Sequence, residues 1–220
     1  MKSNPSFLVI AVVGLIATSP SMASVIDLYE WAVYVDGDLS QGSDPNEINA
    51  EGELGSNDLG TLRFTVEGAG QHAFILFLDY EIDESSNSFI NEYGTKVGHT
   101  EIGQSWEIDE PGYIFGDIYQ HVIDGELDNT NNVPERAPED VSFALGWDFL
   151  LEEGEVGYID MNISDILPDM SFYLQHSDNQ SDSSIYFSSV LSIEQVPAPY
   201  TWLLLLGGSC ALSFCRARGK

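Results

Sequence analysis

Between Asp27 and Glu194 the chain has no cysteine and only three basic side chains, Arg63, Lys96 and Arg136. The first absence removes disulfides, thiolate chemistry and cysteine-based zinc sites from that interval, because Cys210 and Cys215 both lie near the C-terminus. The second excludes nucleic acid and anionic lipid surfaces as partners of the interior, since tracking phosphates needs clustered Lys and Arg. Threonine is sparse as well. Thr61, Thr65, Thr95, Thr100 and Thr130 are too scattered to form a Thr-x-Thr ladder of the kind that matches ice. His72, His99, His121 and His176 show no His-x-His or His-Glu-x-x-His spacing, and neither a Gly-x-Ser-x-Gly elbow nor a phosphate-binding glycine loop occurs. The four histidines therefore read as surface or edge residues.

What the chain does have is acid. Its 220 residues carry 36 Asp and Glu against 7 Lys and Arg, a formal charge of −29, with 43% apolar residues. That length and apolar content suit one folded domain with peripheral segments. All 36 acidic residues fall between Asp27 and Glu194, so with three basic side chains the interior stands at −33. The remaining basic residues, Lys2, Arg216, Arg218 and Lys220, sit beside apolar runs at the two ends.

Both ends read as addresses. Lys2 followed by the apolar run Phe7 to Ala17 and the small-x-small triplet Ser21-Met22-Ala23 form a secretory signal peptide over residues 1–23, with cleavage after Ala23. At the other end, residues 196–220 fall into three parts. Val196-Pro197-Ala198-Pro199 precedes an apolar run over 200–215, and Arg216-Ala217-Arg218-Gly219-Lys220 closes the chain. The run is short for a bilayer span, but Tyr200 and Trp202 at one end and arginines at the other follow the aromatic-belt and positive-inside arrangement, predicting one transmembrane helix.

This ordered tail, together with the signal peptide, resembles the PEP-CTERM class of bacterial surface proteins. In that class a Val-Pro-Glu-Pro motif, a membrane helix and an Arg-rich end are read by a membrane transpeptidase, the exosortase. Val196, Pro197, Pro199, Arg216 and Arg218 match the motif, while Ala198 stands where the class has Glu. The tail of this class also carries an ice-binding C-terminal label, which implies nothing about ice. The resemblance implies a protein held in the inner membrane by its C-terminal helix until processed, then released to the cell surface, envelope or biofilm matrix. Interior phrases such as Ser105-Trp106-Glu107-Ile108-Asp109-Glu110-Pro111-Gly112-Tyr113 and Ala144-Leu145-Gly146-Trp147-Asp148-Phe149 are similar to ectodomains associated with the same class.

From residue 24 to 195 the pattern is β. Runs with strand composition recur at Val25–Val35, Gly60–Val66, Ala73–Tyr80, Val141–Leu151, Val156–Ile163, Ser171–His176 and Ser184–Ile193. Asp36-Gly37, Gly68-Ala69-Gly70 and Glu153-Gly154 punctuate them. Helical periodicity is poor, a short turn around Ser85–Tyr93 being the best candidate, and Asn129–Asp140 reads as a long loop. The expected fold is all-β, a β-sandwich of jelly-roll type, flanked by the signal helix and the transmembrane helix.

Calcium is the first candidate ligand, because hard cations take carboxylates at alternate loop positions. Asp124, Glu126, Asp128 and Glu135 have that spacing, and so do Asp36, Asp38, Asp44 and Glu47, though neither set has flanking helices. A glycosidase is a weaker candidate. Glu81-Ile82-Asp83 and Glu107-Ile108-Asp109 each begin a Glu-x-Asp strand motif, but Ser86 and Gly112 stand where the second catalytic carboxylate belongs. Trp31, Trp106 and Trp147 read as core aromatics before sugar-stacking ones. The expected function is a non-enzymatic surface or exopolysaccharide-matrix protein with bound Ca2+. A carbohydrate-binding module and a divergent glycoside hydrolase are the alternatives.

Overall fold

Strand β5, Gly70–Ile82, is buried on both faces from Phe74 onward, and the other elements are arranged around it in a computed structural model of the chain. The structure describes residues 25–84, 88–112, 114–181 and 183–196. The signal segment 1–23 and the sorting and membrane segment from Pro197 onward lie outside the described residues.

Two antiparallel sheets face each other. The first contains β1 (Ile26–Val35), β2 (Asp38–Gly42), β5, β7 (Gln104–Asp109) and β8 (Ser142–Leu151), ordered β2-β1-β5-β8-β7. The second contains β3 (Glu51–Leu54), β4 (Gly60–Glu67), β6 (Glu92–Gly98), β9 (Glu155–Ser164), β10 (Phe172–Asp178) and β11 (Ser184–Gln195), ordered β3-β4-β9-β11-β10-β6. Side chains alternate in and out along β4 and β9, so Leu62, Phe64 and Val66 meet Ile159, Met161 and Ile163 in the core, as a period-2 pattern requires. The expected all-β sandwich is observed, and all seven strand runs read from the sequence correspond to strands.

Four strands carried no readable pattern. β2 and β3 are short, mostly exposed edge strands held by pairing with β1 and β4. β6 and β7 mix glycine, charge and aromatics, and they become strands through β10 and β8. The helical turn expected around Ser85–Tyr93 reduces to a 3-10 turn at Phe89–Asn91. From Glu92 the chain is extended, because pairing with β10 outweighs a weak local helical tendency.

The outer face of the first sheet is covered, which makes β5 a doubly buried strand. Within the long connection from β7 to β8, helix α1 (Ile118–Asp124) lays Ile118 and Val122 on that face. With Leu127 they form a second apolar cluster against Ala32, Ile75, Phe77 and Ala144. The connection then runs along one edge of each sheet. Ile108 N–H donates to Thr130 O at 3.0 Å and Gly94 N–H to Val133 O at 2.8 Å, so the segment read as a loop closes the exposed edges of β7 and β6. A bulge at Tyr29 completes the frame: the pairing of β1 with β5 shifts between Leu28 and Glu30. Leu28 and Trp31 therefore both point into the core, while Glu30 and Ala32 face outward with α1.

Candidate functional site

The alternation along β5 that sends Phe74, Leu76, Leu78 and Tyr80 into the sandwich sends Ile75, Phe77, Asp79 and Glu81 to the opposite face. In an ordinary two-sheet sandwich that face meets water. Here the β7–β8 connection lies over it, and two carboxylates are carried out of solvent: Asp79 is 2% exposed and Glu81 8%. Asp140, half-buried at the end of the same connection, joins them. Each of the three offers an oxygen within 4.8 Å of those of the other two. Asp79 Oδ1, Glu81 Oε2 and Asp140 Oδ1 are buried without a hydrogen-bond partner among the described residues.

The surroundings add negative charge. Glu30 on β1 is directly opposite Asp79, and Asp79 faces Ser142, which in turn faces Asp109 across β8 and β7, so one row across the sheet holds three carboxylates. Like charges paired directly across strands repel. Burial, followed by repulsion from Asp140 and Glu81, pushes Asp79 well above the usual carboxylate range. Burial likewise raises Glu81 to about 8 and Asp140 to about 6, with nearby acidic groups adding to both. In front of the cluster lies an open cavity of about 790 Å3 whose rim includes Tyr29, Glu30, Glu84 and Phe89.

A second acidic group is internally satisfied. Glu107, fully buried on the same face of β7, accepts from His121 Nδ1 on α1 at 2.8 and 3.0 Å and from the Asp128 N–H at 3.3 Å. Hydrogen bonding to Glu107 raises the His121 pKa, while burial raises that of Glu107. Glu107, His121 and Asp128 lie close enough to hold an ion, as do Glu107, Asp109 and Asp117. Here, however, the neighbouring imidazole and amide groups already serve Glu107 as partners.

Of the residues read from the sequence as calcium ligands, Asp128 alone belongs to one of these three clusters. Asp124 ends α1 and accepts from Gln120 Nε2, and Asp128 accepts from the Thr130 N–H and hydroxyl. Glu126 and Glu135 are exposed. In the other predicted set, Asp36 binds His72 Nδ1 at 2.7 Å and the Ala73 N–H at 2.8 Å. Asp44 caps the 3-10 turn Pro45–Glu47, and Asp38 and Glu47 are exposed. Val196 follows β11 and donates to Gly154 O, whereas Pro197, Pro199, Arg216 and Arg218 lie outside the described residues.

Trp31 and Trp147 are core residues as read, and Trp106 is half-buried under Lys96. The histidines depart from the sequence reading, for His72 and His176 are buried and only His99 is fully on the surface. The Asp79–Glu81–Asp140 cluster escaped spacing rules because Asp140 is remote in sequence. One signal was present: the run His72 to Ile82 is apolar on both faces, so a strand there has no solvent side for its two acids. Comparison with protein-family models, curated proteins and solved structures finds no match to this chain.

Proposed function

We propose that this chain is an exported, non-enzymatic protein of the cell surface or exopolysaccharide matrix, delivered by a signal peptide and sorted by a PEP-CTERM-like tail. The observation that carries this reading is the fit between fold and addresses. The sandwich begins at Ile26 and ends at Gln195, filling the interval between the expected cleavage site and the Val196-Pro197-Ala198-Pro199 motif. In this reading residues 200–215 hold the chain in the inner membrane, the exosortase-type transpeptidase acts near the motif, and the anionic domain enters the matrix. The jelly-roll variety of sandwich belongs to the same proposal, supported by connections that switch sheets from β4 to β5 to β6 to β7 and again from β8 to β9. Bound calcium belongs to it as well, supported by clusters of acidic side chains able to hold a metal ion.

Deleting Val196–Lys220 tests the sorting. The truncated protein is expected in the periplasm, while the full chain fractionates with envelope or matrix; an unchanged distribution overturns the assignment.

A carbohydrate-binding role is the second reading, favoured by the outer face of the second sheet. Tyr158, Tyr173 and Tyr186 stand half-buried there, with Tyr173 and Tyr186 edge to face at 5.8 Å, and aromatic planes of this kind pack against sugar rings. Binding of the domain to a polysaccharide array separates the two readings.

A further inference from the structure

The structure assigns a divalent-cation site, calcium by its chemistry, to Asp79, Glu81 and Asp140 on the covered outer face of the first sheet. Two independent observations carry it. The first is convergence: three carboxylates from β5 and the β7–β8 connection each place an oxygen within 4.8 Å of the others. Oxygens bound to one calcium ion at 2.3–2.6 Å lie at most about 5 Å apart, so that spread fits a single coordination sphere. The second is an oxygen on each group that has no other partner. One oxygen of each group is buried without a hydrogen bond among the described residues, and Asp79 is 2% exposed. A buried, unpartnered carboxylate is strongly unfavourable, and three together with Glu30 opposite Asp79 are more so. Either a cation or protons must neutralise them.

The donor set selects the ion. Only oxygen converges here, which suits hard cations and disfavours zinc or copper. Magnesium prefers one or two carboxylates within a largely retained water shell, whereas calcium accepts three carboxylates and fills six to eight positions flexibly. The open cavity in front of the cluster admits the waters that complete such a shell. The place in the fold also explains why bound calcium would stabilise the domain: the ion joins β5 to the far end of the connection that covers the first sheet and lines one edge of each sheet, β7 and β6.

This site deepens the calcium part of the proposed function and is independent of the export reading. The test is calcium titration of the domain at neutral pH after chelation, followed by thermal unfolding, for the wild type, Asp79→Asn and Asp140→Asn. The wild-type melting temperature is expected to rise with calcium. Both variants should lose that rise or need roughly tenfold more calcium, since affinity follows the number of charged ligands. Asp79→Asn should also be more stable than wild type in chelator, because the amide removes the buried like charge. Asp140 lies outside the strands, so its variant keeps the measurement available if Asp79→Asn misfolds. A wild-type shift retained in full by both variants overturns this site and leaves a calcium-bound protein with its ion elsewhere. No wild-type shift at millimolar calcium overturns the site and the calcium reading together.

Discussion

His176 is fully buried between the sheets, with Nε2 at 2.6 Å from Glu92 Oε2, while Glu92 Oε1 accepts the Ile82 N–H at 2.9 Å. Burial disfavours charge on either partner, lowering the imidazole pKa and raising that of the carboxyl, which favours a neutral pair over an ion pair. The two shifts act on stability in opposite senses. Above the ordinary Glu value of 4.5 the unfolded chain loses a proton that folded Glu92 keeps, and stability falls as pH rises toward the folded pKa. Below the ordinary His value of 6.5 the unfolded chain gains a proton that folded His176 refuses, and stability falls as pH drops. Between these values the two effects cancel. The contribution of the pair is therefore a plateau with a limb on each side of about 1.4 kcal/mol per pH unit. Glu92→Gln keeps both hydrogen bonds and should flatten the alkaline limb by one proton while retaining the acid one. Urea unfolding across the pH range in chelator measures this; a variant parallel to wild type above neutrality would show that Glu92 is already ionised in the fold.

At the scale of elements, β6 packs closely against residues of β7 and β8. Gly94 sits there on the core side of β6, and a methyl group at its Cα would lie 2.3 Å from Ile108 Cγ2 and 3.1 Å from the Phe143 ring. The neighbouring β10 places His176 opposite Gly94, and Ile108, Phe143 and His176 are all fully buried. Gly94→Ala should lower the unfolding free energy by about 1–3 kcal/mol through overpacking, read from the urea midpoint. An unchanged midpoint would mean that β6 lies farther from the first sheet than these distances show. The β1–β2 turn uses glycine for a different reason. Asp36 and Gly37 have φ of 52° and 99°, the twisted two-residue turn that Asp-Gly favours; the dipeptide marked the end of β1, while β2 itself had no readable pattern. The bulge at Tyr29 was not, because an extra residue in β1 shows only against the register of β5.

Over the whole molecule, the charge of −33 between Asp27 and Glu194 spreads over both sheets and the covering connection. Among the described residues few ion pairs relieve it. The bidentate pair of Arg63 with Asp160, at 2.6 and 2.8 Å, lies largely in solvent and contributes little. Self-repulsion of this size weakens the compact state and is screened by salt. Raising sodium chloride from about 10 mM to about 0.5 M, in chelator, should raise the melting temperature by several degrees. A flat or falling melting temperature would show that the carboxylates are already neutralised or that repulsion is equal in the unfolded chain.

The sequence by itself determined the class of fold and its acidity, because period-2 alternation, turn residues and composition are local quantities. It also sufficed for the core role of Trp31 and Trp147 and for the loop character of residues 129–140. The tertiary structure alone decided which acids matter. Alternation shows that Asp79 and Glu81 share a face of β5; only the return of the β7–β8 connection over that face removes their water and brings Asp140 against them. Desolvation depends on what packs from elsewhere in the chain, so 36 similar carboxylates become distinguishable once the fold has buried a few of them.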